Sequence, residues 1–291
     1  MEKLKPGIKI YADDLSKIVQ INSGLIHHSK QHSNELIFKD EKFSQKYESE
    51  AYLPKRDWRK LNLSEYKIIA GNNKDKKDYN SVFIGEIPQN IQLLFDGLNL
   101  KEAQSDDEVF RKFRENQNLI SEINLLLNEF LENISQGSFR FMSLATNYAN
   151  SEVVSLDKRK LPIGFTINDL KFIGIHKDSS ETMTLHTAHK FGNRISLNIG
   201  KESRYLLLIN LSMLQVYNMI KTKMNVHENE VNNKNITSYF MKLFPDYPVL
   251  KIEQPPYHYY IAPTDNCFHD GSTFGSSSLD IVMTYLGKFL I

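Results

Sequence analysis

The chain has 291 residues, enough for one large domain or two small ones with a substantial core. Its 36 basic residues balance 35 acidic ones, so no global field attracts nucleic acid or an anionic membrane surface. The single cysteine, Cys267, excludes an intramolecular disulfide framework and favours a reducing compartment. No apolar run approaches the length of a membrane span, and no signal-type apolar segment follows Met1. We therefore expect a cytoplasmic protein with neither a membrane nor a nucleic acid as partner.

The first half of the chain predicts a mixture of strands and helices. Segments 7–12, 66–71 and 81–88 have the composition of strands, and a helix is expected over residues 90–98. The strongest helical pattern follows Ser105. Ser105 and Glu108 have the spacing of a capping box, and apolar residues recur at helical spacing as far as Ile134. This apolar stripe predicts packing against a core and no chemistry.

From residue 138 onward the pattern is typical of strands. Seven segments are predicted as strands: 138–148, 164–176, 194–200, 204–212, 249–254, 257–263 and 279–290. Helices are expected over about 212–221 and 239–244. The sequence therefore predicts one α+β domain over residues 1–291, in which residues 1–136 form a helical or mixed support and residues 137–291 form a barrel or sandwich core.

A histidine and an aspartate stand at the end of the expected strand 164–176. Side chains at i and i+2 of a strand point the same way, so His176 and Asp178 can aim an imidazole and a carboxylate at one point. His176 is the only one of nine histidines with an acid two places on. His269, in a late strand-like segment, can supply a third ligand. Two imidazoles and one carboxylate make the facial triad that binds non-haem Fe(II) and leaves positions open.

Other interpretations of these residues stay open. A His and an Asp at a strand end can serve simply as hydrogen-bond partners of a loop. His186 and His189 lie in a segment that resembles a lid or substrate wall, and either could replace His269 as a ligand. Asp270 could accept a hydrogen bond from the imidazole of His269 and orient it.

The pattern of His176, Asp178 and a distant His269 in a strand-rich half resembles the Fe(II)/2-oxoglutarate-dependent dioxygenases. This cupin-like superfamily has a double-stranded β-helix, or jelly-roll, core. The resemblance covers roughly residues 139–289. It implies Fe(II) held by His176, Asp178 and His269, with 2-oxoglutarate as co-substrate and O2 as oxidant. Halogenating relatives have Gly or Ala in place of the acid, so Asp178 indicates hydroxylation, desaturation or ring closure instead.

One departure from the family concerns the cation that anchors the distal carboxylate of 2-oxoglutarate. Most members have an arginine shortly after the last histidine ligand, but no arginine follows Arg204 in this chain. Some relatives place this cation on an earlier strand, and Arg204 and Arg194 both open strands close behind His176 and Asp178. Because a guanidinium can grip a carboxylate with two parallel hydrogen bonds, we favour Arg204, then Arg194, then Lys288.

The expected function is therefore that of a mononuclear non-haem Fe(II)/2-oxoglutarate oxygenase. We expect it to hydroxylate a small amino-acid-like substrate, or one linked to a peptide or carrier, in specialised metabolism. One alternative is a cupin-type metal enzyme that does not use 2-oxoglutarate, which would explain the missing late arginine. A second is a metal-free jelly-roll binding protein. The sequence does not indicate the oligomeric state.

Overall fold

The computed structural model describes residues 3–72, 77–157, 161–179, 182–224 and 230–291, and it confirms the expected α+β class. The helices are α1 Leu15–Ile18, α2 Leu63–Ile69, α3 Gln89–Gly97, α4 Asp106–Glu115, α5 Gln117–Ile134, α6 Met213–Met224 and α7 Ile236–Leu243. The strands before α5 are β1 Ile10–Tyr11, β2 Val19–Ile21, β3 Leu25–His27, β4 Glu35–Phe38, β5 Glu41–Ser44, β6 Tyr52–Pro54, β7 Arg59–Lys60 and β8 Val82–Glu86. Those after it are β9 Arg140–Asn147, β10 Asn193–Asn198, β11 Arg204–Ile209, β12 Leu250–Gln254, β13 His258–Ala262, β14 Phe268–Ser272 and β15 Asp280–Gly287.

Two sheets form the β-rich part of the molecule. The six-stranded sheet has the order β1-β8-β13-β10-β15-β9, and the five-stranded sheet has the order β14-β11-β12-β2-β7. Every pairing in them is antiparallel except that of β1 with β8. One cavity is lined by residues from both sheets, among them Ser196 of β10 and His269 of β14. The two sheets therefore enclose it in a sandwich-like arrangement.

Side chains of β10 alternate between two environments. Ile195 and Leu197 are fully buried in a cluster with apolar residues of α3 and α5, whereas Arg194 and Ser196 line the cavity. The six-stranded sheet thus packs helices on one face and borders the cavity with the other. This division follows from the two-residue period of a strand.

Residues 1–136 contribute strands to both sheets as well as helices. β1 and β8 extend the six-stranded sheet beyond β13, and β2 and β7 extend the five-stranded sheet beyond β12. Among the described residues, no helix combines the length and apolar composition needed to cross a bilayer.

Three predicted elements were wrong. Segment 66–71, expected as a strand, lies mostly in α2, which begins at a capping box of Asn62 and Glu65. The long helix after Ser105 is two helices, because Asn116 between them has a non-helical backbone conformation. Segment 164–176 contains a short 3-10 turn and isolated bridges at Phe172 and His176 instead of a strand.

Candidate metal centre

The backbone places His176 and His269 side by side. The two residues form an isolated antiparallel bridge in which each N–H donates to the other's carbonyl, at 3.1 Å from His176 and 2.7 Å from His269. Residues paired in this way direct their side chains to the same face, and the ring centroids lie 4.9 Å apart. β14, which carries His269, is held on its other side by β11.

Asp178 completes the group. Its backbone N–H donates to the carbonyl of Thr264 at 3.1 Å, which turns the carboxylate toward both imidazoles. Oδ1 lies 4.0 Å from Nε2 of His176, and Oδ2 lies 3.4 Å from Nε2 of His269. One ligand atom from each of the three residues lies within 4.8 Å of the others, so the group could hold a metal ion. Across the described part of the chain, it is the one cluster of this kind.

The hydrogen bonding of the histidines fits a divalent metal. Nδ1 of His176 lies 2.9 Å from the carbonyl oxygen of Gly174, which can only accept, so the proton sits on Nδ1. The lone pair of Nε2 is then directed at Asp178, as in metal-bound histidines whose other nitrogen donates to a backbone carbonyl. Nδ1 of His269 is buried and makes no hydrogen bond of good geometry, and Oδ2 of Asp178 has only ion-pair contacts, with Arg194 and His269. Two imidazole nitrogens and one carboxylate oxygen are ligands of the kind that divalent transition metals bind in proteins.

The electrostatics of the group favour the ionised carboxylate. Burial raises the pKa of Asp178, but His269, Arg194 and His176 outweigh it and hold that pKa well below its usual range. Burial and the neighbouring His269 lower the pKa of His176, which keeps its imidazole neutral and able to bind a metal. Burial also lowers the pKa of His269, but the effect of the Asp178 carboxylate is larger and raises that pKa to well above its ordinary value. A cation bound by both residues would replace that proton.

The three predicted anchor residues lie in different places. Nη1 of Arg194 lies 2.8 Å from Oδ2 of Asp178, directly beside the triad. Arg204 is buried and lines the same cavity. Lys288 is exposed, does not line the cavity, and holds its ammonium 5.2 Å from the ring centroid of Tyr79. The structure therefore brings both arginines to the site but leaves the lysine outside it.

Arg204 lies against the strand that carries His269. Its Nε is 3.2 Å from Oδ1 of Asp280, and Nη1 donates to Oε1 of Gln254 at 3.4 Å. Its Nη2 lies 2.7 Å from the point that a Cβ on Gly271 would occupy. Gly271 follows His269 by two residues on the same face of β14, a separation of about 7 Å. Because Gly271 has no side chain, the Arg204 guanidinium can lie at this point, about 7 Å along β14 from His269.

The cavity has a volume of about 880 Å³. Near the triad its walls are polar: the hydroxyls of Ser196 and Thr284 lie 3.0 Å apart, and Tyr260 lies beside them. Toward solvent its walls include the apolar side chains of Phe38, Met142, Leu156 and Phe165. This volume is ample for a co-substrate and a small substrate together.

Two interpretations of single residues were wrong. Oδ2 of Asp270 lies 3.8 Å from Nδ1 of His176, so this acid sits beside His176 and not His269. Its Oδ1 also accepts from the Ser155 hydroxyl at 2.8 Å. His186 packs its ring edge against Tyr217, and neither it nor His189 belongs to the metal group.

Several residues around the site were not predicted from the sequence. Ser196 and Thr284 reach the cavity through the register of β10 with β15. Gln254 and Asp280 do not line it but contact Arg204, which does. The alternation of polar residues within otherwise apolar strands, as in Arg194 and Ser196 of β10, was the available clue.

The chain was compared with known proteins in three ways. No protein-family model matches it, no curated protein matches it, and no solved structure matches it.

Proposed function

We propose that the protein is a mononuclear non-haem Fe(II)/2-oxoglutarate-dependent oxygenase of the hydroxylating type. The observation that carries the proposal is the convergence of His176, Asp178 and His269 at one end of a cavity between two sheets. Fe(II) held by this triad would leave coordination positions open for the oxo acid and O2, and would supply the oxidising chemistry that hydroxylation of a C–H bond requires.

The strand order supports a double-stranded β-helix over residues 139–289. β9, β15, β10 and β13 are neighbours in one sheet. The His176 segment, β14, β11 and β12 are neighbours in the other. Taken in chain order, these eight segments change sheet at every step except from β11 to β12, which pair with each other, and this is the order of jelly-roll strands. In such a core the first two ligands and the last lie on adjacent strands, which is the relation of His176 to His269.

Arg204 is the residue that best suits the distal carboxylate of 2-oxoglutarate. Its guanidinium lies about 7 Å along β14 from His269, a distance that the carbon chain of the oxo acid can span. Arg194 is too close to Asp178 for that task. With Nη1 on Oδ2, it fixes the carboxylate so that the other oxygen faces His176. We therefore assign co-substrate binding to Arg204 and the positioning of Asp178 to Arg194.

One observation favours a second candidate function. Arg204 already forms a buried ion pair with Asp280, which in turn accepts a hydrogen bond from Asn147 at 2.7 Å. An arginine with a carboxylate partner gains less from binding another anion. A cupin-type metal enzyme that does not use 2-oxoglutarate would have the same triad and would need no free anchor.

An anaerobic titration tests the proposal. Fe(II) is added to the purified chain, followed by 2-oxoglutarate, and the visible charge-transfer band of the chelate is recorded. Appearance of the band, followed by succinate formation on admission of O2, supports the oxygenase. Iron binding with no band supports the cupin-type alternative. If no metal binds, the chain is a metal-free binding protein and the proposal is wrong.

A further inference from the structure

β9 lies at the edge of the six-stranded sheet. In the described residues it pairs only with β15, so half of its backbone N–H and C=O groups point away from the sheet. Natural sheet edges are usually protected by charged residues or proline. β9 begins with the charged Arg140, and a bulge interrupts its register at Met142. Beyond the bulge, residues 143–147, SLATN, contain neither charge nor proline. Phe141 and Met142 are 52% and 43% exposed.

The open edge borders a cavity on each of its faces. Met142, Ser143 and Ala145 line the cavity that contains the metal group. Phe141 and Leu144 line a separate groove of about 610 Å³ between the sheet and α5. A strand added to this edge would project alternate side chains into the metal cavity and into the groove.

The chain already makes one such pairing just beyond the end of β9. The N–H of Ile37 in β4 donates to the carbonyl of Ala149 at 3.0 Å, and the two residues form an antiparallel bridge. The backbone N–H and C=O groups of successive residues in a strand point to opposite edges. Those of Ser143, Ala145 and Asn147 therefore point to the same edge as those of Ala149, which face β4. The open edge of β9 therefore continues a line of pairing that β4 begins.

We infer that the free edge of β9 binds an extended peptide as an additional strand, which makes a peptide segment the substrate of the metal centre. That the bound peptide is a substrate rests on the proposed function, whereas the binding of a peptide to β9 does not. Strand addition gives affinity through main-chain hydrogen bonds and specificity through pockets for alternate side chains, and β9 offers both. A second copy of this chain, paired through its own β9, is the competing occupant, and light scattering tests for it.

The test begins with a display library of short linear peptides, selected on the full chain loaded with Mn(II). The tightest peptide is labelled, and its affinity is measured by fluorescence anisotropy. Each backbone nitrogen of this peptide is then methylated in turn. We expect N-methylation to weaken binding by roughly tenfold at every second residue and to have little effect between, since alternate N–H groups face β9.

Two matched variants locate the site. Met142→Lys places a charge on the edge and should weaken peptide binding by roughly tenfold or more. Leu125→Lys, at an exposed apolar residue of α5, should leave it unchanged. Failure to select any peptide, or N-methylation without alternation, overturns the inference. A dimer in light scattering that Met142→Lys converts to monomers also overturns it, because a second copy then occupies the edge.

Metal titration of the same samples separates this inference from the proposed function. If N-methylation weakens peptide binding at alternate residues but no metal binds, the peptide site is supported and the proposed oxygenase reaction is wrong. If metal and 2-oxoglutarate bind but no peptide is selected, the peptide site is wrong and the proposed oxygenase function is supported.

Discussion

Asp178 is the residue on which the polar groups of the site converge. Two imidazoles and one guanidinium surround its carboxylate, at 4.0, 3.4 and 2.8 Å. The protonated His269 and the Arg194 guanidinium keep the carboxylate ionised in spite of its burial. Arg194 lies outside the triad and contacts Oδ2 of Asp178, which is the position of a residue that could orient a metal ligand.

Arg204→Lys tests the assignment of the co-substrate anchor. Lysine keeps the charge beside Asp280 but lacks the planar guanidinium that binds a carboxylate through two hydrogen bonds. We expect the half-saturating concentration of 2-oxoglutarate, measured from the chelate band, to rise by about tenfold, since a hydrogen bond to a charged group contributes about 1.5–3 kcal/mol. Fe(II) affinity should not change. Arg111→Lys, on the exposed face of α4, is the control and should bind both as the unmodified chain does. An unchanged affinity in Arg204→Lys would contradict the assignment.

Gly271→Ala tests the same site without removing a charge. The added methyl group would lie 2.7 Å from both Nη2 of Arg204 and Cγ2 of Val154, so the guanidinium must move. We expect weaker binding of 2-oxoglutarate, by about tenfold, with Fe(II) binding preserved. Gly97→Ala in α3 serves as a control, because its methyl group meets only the side chain of Leu119. If Gly271→Ala binds 2-oxoglutarate as tightly as Gly97→Ala does, binding of the co-substrate does not require the position that the Arg204 guanidinium has beside Gly271.

The sequence predicted the triad but not the contacts around it. His176 and Asp178 could be found because two residues of one short segment carry the signal, and His269 because few histidines lie in late strands. The partner of Asp270 was assigned wrongly, since adjacency in the chain does not say which side of a strand a side chain faces. Its actual neighbour, His176, comes from a different segment through the bridge to β14.

At the scale of elements, strands with apolar inward faces were the easiest to predict. β10, β11, β12, β13 and β15 were all expected within a few residues of their bounds. β14 was not recognised as a separate strand, because its sequence FHDGS is polar although all five residues are buried. His269 and Gly271 line the cavity, and Asp270 and Ser272 form hydrogen bonds with Ser155 and Ser151. The hydrophobic pattern is therefore missing at the candidate metal site.

The helix α2 shows how a local capping signal outweighs strand composition. Asn62 accepts from the backbone N–H of Glu65 at 3.0 Å, and the Glu65 carboxylate accepts from the N–H of Asn62 at 2.9 Å. We expect Asn62→Ala to lower the free energy of unfolding by about 1 kcal/mol, measured by urea denaturation. Lys67→Ala, exposed in the same helix, should change it by less than about 0.5 kcal/mol. Equal effects of the two substitutions would show that the cap does not stabilise α2.

At the scale of the whole molecule, the metal group links segments that are distant in sequence. His176 and Asp178 belong to an irregular segment held by few strand pairings, whereas His269 belongs to a sheet. A ligand that binds only the folded chain stabilises it by about 2.7 kcal/mol at one hundred times its Kd. We therefore expect Fe(II), added without oxygen, to raise the Tm by several degrees and EDTA to reverse the rise. A Tm that does not respond to Fe(II) would contradict metal binding at this site.

The most direct measurement is the stoichiometry of anaerobic Fe(II) binding to single-histidine variants. The unmodified chain should bind one equivalent, and His176→Ala and His269→Ala should each lose tight binding, because each removes one of three ligands. His186→Ala is the matched control: its ring packs against Tyr217 outside the group, so it should bind one equivalent like the unmodified chain. If His269→Ala keeps its iron, or if His186→Ala loses it, the triad of His176, Asp178 and His269 is not the metal centre.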